Sequence, residues 1–148
     1  MQVLFIKKNI SLISSLLLIL LFVYAATSKL LDYQKFRVEI GQSPILTAIA
    51  SWIAWLVPAT EIGISVLLAY SRSRLAALYA SFSLMVMFTT YIIAILKFSD
   101  YIPCSCGGIL QNMQWPEHLI FNIVFVLIAF AGIMLYDKPV NRKNILLQ

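Results

Sequence analysis

The sequence predicts an all-α fold, a four-helix bundle lying in a membrane with both termini on the cytoplasmic side. Three observations predict it. Of 148 residues, 61% are hydrophobic and only 11% are charged, where a soluble domain carries roughly 25% charged residues. Four apolar runs are each long enough to cross about 30 Å of hydrocarbon at about 1.5 Å per residue. The basic residues gather at the ends of these runs, so the net charge of +5 reads as a topology signal rather than a nucleic-acid-binding face. The composition requires the lipid bilayer as partner and gives no reason to expect nucleic acid. Two cysteines with so little polar surface also exclude a disulfide-stapled secreted mini-protein. Residues 1–148 are expected to form one domain, with no soluble appendage, internal repeat or low-complexity tract.

The first run, Ile10–Leu31, follows Lys7 and Lys8. "YAATS" near its end resembles a loose cleavage site. The apolar core nevertheless exceeds the roughly 7–15 residues of a signal peptide, so a retained helix is expected. The second run, Ile45–Tyr70, is longer than one crossing needs. Its start, "SPILTAIASWIAW", is expected to lie partly in the outer interface with Trp52 and Trp55 as anchors, and Pro58 is expected to kink it. The third run, Leu75–Leu96, follows the tight "SRSR" loop. The fourth, Glu117–Tyr136, is followed by Lys138, Arg142 and Lys143. With Lys7, Lys8, Arg72 and Arg74, these make seven basic residues on one side, against Lys29, Lys35, Arg37 and Lys97 on the other. The richer side is expected to be cytoplasmic. The segment between runs three and four then faces a compartment where disulfides form.

Polar residues inside the runs are the candidates for function. Glu61, in "WLVPATEIGISVLL", has no charged residue within ten positions on either side. A carboxylate at such depth costs about 3 kcal/mol or more. It is either a proton, quinone or ligand site, or a hydrogen-bonded or ion-paired group that fixes helix packing. Lys29, in "TSKLLD", is its candidate partner; the depths match poorly unless Pro58 unwinds the second run. The other reading of Lys29 is snorkelling to the outer headgroups. His118 and Asn122 are four apart and share a helical face. His118 is either a base that forms a reactive thiolate or simply a hydrogen-bonded interfacial histidine. Asn122 is expected to hydrogen-bond between helices.

"YIPCSCGG" holds both cysteines, Cys104 and Cys106. In an extended segment their side chains point the same way, with α-carbons about 6.5 Å apart, near the long end for a disulfide. A bond across Ser105 would be strained and therefore suited to exchange. It would close too small a ring to stabilise the fold appreciably. Gly107 and Gly108 let the backbone turn and a partner approach. Three other readings stay open: idle thiols, a soft-metal site for Cu(I) or Zn(II), and bonds to another chain.

"TSKLLDYQKF", "VPATEIG", and "PCSCGG" followed by Trp115 and by "FN" at 121–122 resemble the MauE/DoxX group of redox-associated membrane proteins. The likeness spans about Leu21 to Leu135. It implies a multi-pass protein of the bacterial inner membrane whose CxC-Gly loop, on the periplasmic side, handles disulfide chemistry or electrons for an exported partner. The matching residues are Lys29, Glu61, Cys104, Cys106, Gly107 and Asn122. The group often has Gly between the cysteines and a basic residue before the asparagine; here Ser105 and Phe121 stand there.

The expected function is thiol–disulfide exchange or electron transfer by Cys104 and Cys106, with His118 as base, Glu61 and Lys29 linked to protons or a quinone, and Gly107, Gly108 and Asn122 in support. The partner is an exported thiol protein or thioredoxin-like domain. The alternative is a non-enzymatic subunit that anchors a larger envelope complex.

Overall fold

A computed structural model describes residues 2–42, 47–98 and 115–136. Its helices are α1 (Gln2–Leu31), α2 (Tyr33–Gly41), α3 (Ala50–Ala69, entered through a 3-10 turn at Thr47–Ile49), α4 (Arg74–Phe98) and α5 (Trp115–Met134). Among the described residues, four stretches are long and apolar enough to cross a membrane: Asn9–Leu31, Thr47–Ala69, Arg74–Lys97 and Pro116–Met134. They match the four runs. In the second, the α-helix follows the 3-10 turn and starts at Ala50, and α3 stays helical through Pro58. Proline removes one backbone donor there, yet it does not unwind the helix.

Within the bundle, α1 packs on α3 and α5, and α4 completes the ring by packing on α3 and α5. Leu18 and Phe22 of α1, Leu68 of α3, Leu78 and Met85 of α4 and Ala129 of α5 form the core. Large apolar side chains such as Leu20 and Leu127 point outward, as lipid requires. Close approach comes from small residues. A Cβ on Gly132 of α5 would stand 3.0 Å from the Ser14 Cβ and 3.1 Å from Leu78 Cδ2. Buried Ser15, Ser65 and Ser81 donate to the carbonyls of Ser11, Glu61 and Ala77 on their own helices. This satisfies each hydroxyl without a partner helix.

The loop between α3 and α4 is closed locally. Ser73 Oγ donates to Leu67 O at 2.8 Å, and Tyr136 OH donates to Ser71 O at 3.4 Å. The end of α5 and the "SRSR" loop therefore share one end of the bundle.

At the opposite end lies α2, which the hydropathy pattern did not reveal. The chain leaves α1 at Asp32 (φ −110°, ψ 44°) and turns into nine helical residues. Phe36 and Ile40, one turn apart, bury against Ala50 and Ala54 of α3, with Tyr33, Ile53 and Val57 around them. The Tyr33 and Trp55 rings lie 6.0 Å apart. Trp52 is 79% exposed, in keeping with an interfacial anchor.

Candidate functional site

Lys29 and Glu61 meet under α2. Lys29 Nζ donates to Glu61 Oε1 at 2.6 Å; Lys29 is 8% exposed and Glu61 fully buried. Of the two readings of Lys29, this is the ion pair: the ammonium turns inward and does not snorkel outward. One expectation is corrected, because the depths match without any unwinding at Pro58. The reason is the direction of the side chains. Each Cα–Cβ bond tilts toward its helix N-terminus. Since α1 and α3 run antiparallel, Lys29 leans inward from the end of α1 while Glu61 leans back toward that end. The lysine stem covers the remaining offset.

The ammonium has more than one contact. It lies 5.8 Å from the ring centroid of Phe36 on α2 and 5.8 Å from that of Phe88 on α4, within reach of a cation–π interaction. Its charge also acts on the buried imidazole of His118 on α5. All five helices thus contribute to one cluster around Lys29. The pairing leaves one atom over: Glu61 Oε2 is buried and has no hydrogen-bond partner among the described residues.

Asn122 is buried on the same face of α5 as His118. Its Nδ2 donates to His118 O at 3.0 Å, within the helix, where an interhelical bond was expected. One turn of amide-to-carbonyl bonding ties the two residues into a single rigid face.

Sequence reasoning missed Phe36 and Phe88. The first had a usable signal, its one-turn spacing from Ile40; the second is one aromatic in an apolar run and had none. Cys104, Cys106, Gly107 and Gly108 lie outside the described residues. Among the described residues no three His, Cys, Asp or Glu side chains gather to hold a metal. Glu39 on α2 lies outside the membrane spans. Burial raises its carboxyl above the ordinary value of 4.5, against the lowering effect of Lys35.

The family model described as methylamine utilisation protein MauE matches residues 7–135. The chain belongs to the MauE family. No curated protein and no solved structure matches it. The MauE match covers all four membrane spans and takes in Lys29, Glu61, His118 and Asn122 as well as both cysteines.

Proposed function

We propose that this MauE-family membrane protein is a redox component of the bacterial inner membrane whose Cys104–Cys106 pair exchanges disulfides with an exported thiol partner on the periplasmic side. The observation that carries the reading is positional. The buried Lys29–Glu61–His118 cluster lies at the end of the bundle where α4 stops at Phe98 and α5 begins at Trp115, the two helix ends that flank the cysteine segment.

The exchange balances as follows. A partner thiolate attacks one sulfur of the Cys104–Cys106 disulfide. That bond breaks, a mixed disulfide forms, and the other cysteine leaves as a thiolate. A second partner thiolate then attacks the mixed disulfide, leaving the partner oxidised by two electrons and the pair reduced. Reoxidation passes two electrons to a quinone in the bilayer, which becomes quinol, or to a thioredoxin-like disulfide, which becomes a dithiol. With only two cysteines in the chain, no second internal thiol pair relays them.

The test is the variant Cys104→Ser/Cys106→Ser in a cell that depends on the protein. Expression and bundle stability should stay at parental levels while function is lost. Parental function in the double variant would replace the redox reading with an anchoring subunit.

A further inference from the structure

Glu61 has two carboxylate oxygens in unlike positions. Oε1 holds the Lys29 ammonium at 2.6 Å, while Oε2 is buried without a hydrogen-bond partner among the described residues. A buried acceptor left this way loses its hydration with no compensation. A proton on Oε2 removes the buried charge and most of its desolvation cost, and the new O–H finds its acceptor in the water that delivers the proton. Loss of the carboxylate charge would ordinarily strand a buried lysine. Here Oε1 of the neutral acid still accepts from the ammonium, and the rings of Phe36 and Phe88 face it as well, contacts that do not depend on the charge of Glu61.

The surroundings also set a direction. On the inner side of the pair, Leu18, Phe22, Leu68 and Leu78 are packed with at most 1% exposure. The nearest deeper polar side chain on α3, Ser65, spends its hydroxyl on Glu61 O. Ser15 of α1 and Ser81 of α4 likewise donate to carbonyls of their own helices, so the packed layer gives a proton a poor path among the described residues. On the outer side the cover among the described residues is α2, nine residues long, seated through Phe36 and Ile40. Among the described residues, the ionisable groups facing the site are Lys29 from α1 and His118 from α5; α2 and α4 present Phe36 and Phe88. On α2 itself, Lys35 and Arg37 are exposed, and Glu39 interacts with Lys35 and Asp32.

We infer that Glu61 is a one-sided proton-loading site: Oε2 takes a proton from water admitted beneath α2, and Lys29 stays charged between Phe36 and Phe88. The step moves one proton from hydronium to a carboxylate and no electrons. It is a terminus for protons and not a channel across the bilayer, and it stands apart from the cysteine chemistry.

The experiment uses the full chain in lipid nanodiscs carrying Glu39→Gln and Glu117→Gln, which leaves Glu61 as the sole glutamate. With carboxyl-13C glutamate, infrared spectra are recorded against pH, with and without Cys104→Ser/Cys106→Ser. A carboxylic-acid band should grow as pH falls, in both backgrounds. Its hydrogen–deuterium exchange should quicken several-fold in Phe36→Ala and stay unchanged in Leu78→Ala, on the inner side. A glutamate that remains ionised, or remains protonated, at every pH where the bundle is folded overturns the proposal. So does exchange that quickens in Leu78→Ala and not in Phe36→Ala. The label identifies Glu61 directly, so the result does not depend on the folding of a Glu61 variant.

Discussion

Replacing Glu61 with leucine strands the Lys29 ammonium inside the bundle, 8% exposed and held only by two ring faces. Removing one partner of a buried pair costs about 3–5 kcal/mol. Glu61→Leu should therefore lower thermal stability strongly in detergent or nanodiscs, and Glu61→Gln, which still accepts from Lys29, should lower it less. The double variant Lys29→Met/Glu61→Leu should recover most of the loss, because an apolar replacement of similar volume is often neutral. A double variant that is as unstable as the sum of the two single variants would show that the pair is not one unit. Glu39 carries a pH signature. Its carboxyl is raised by burial, so the folded state binds this proton more tightly than the unfolded state, and stability falls as pH rises through that window. Glu39→Gln should stabilise the protein near neutral pH and have no effect well below 4.5, measured as melting temperature against pH. Glu61 was legible in the sequence because a lone carboxylate in an apolar run has to be paired, protonated or wet. Its pairing was harder to read, because a depth comparison by residue number ignores the opposed tilt of side chains on antiparallel helices.

Two glycines separate helix packing from helix propensity. Gly132 lies where α5 crosses Ser14 of α1 and Leu78 of α4, whereas a Cβ on Gly63 of α3 meets nothing within 4 Å. Gly132→Ala should push the helices apart and destabilise by about 1–3 kcal/mol, as overpacking does. Gly63→Ala should be neutral or stabilise by up to about 1 kcal/mol through helix propensity. Unfolding of the two variants in graded denaturant decides it, and equal effects would contradict the packing of α5 on α1. The four spans were readable from hydropathy because lipid demands an apolar exterior over the full thickness of the bilayer. The helix α2 was not. Lys35, Arg37 and Glu39 among its nine residues erase any hydropathy peak, and its burial depends on the small Ala50 and Ala54, which the sequence does not connect to Phe36 and Ile40.

The whole molecule has two unlike ends. One carries the "SRSR" loop and the end of α5, joined by Tyr136 and Ser71. The other carries α2 and the ion pair. Lys29 is buried in that pair, so it acts as a core residue and not as a loop charge. The count of seven basic residues against four then becomes seven against three, which strengthens the proposed orientation with the cysteine segment outside. The spacing of the cysteines was plain in the sequence, but their chemistry depends on a partner that one chain does not encode. The most direct measurement is therefore covalent trapping. Cys104→Ala and Cys106→Ala are each expressed in cells, thiols are quenched with acid, and adducts are resolved without reductant. One of the two single-cysteine variants should accumulate a reductant-sensitive adduct with an exported protein, absent from Cys104→Ala/Cys106→Ala. No adduct in either variant, with both expressed at parental levels, would contradict the disulfide-exchange reading.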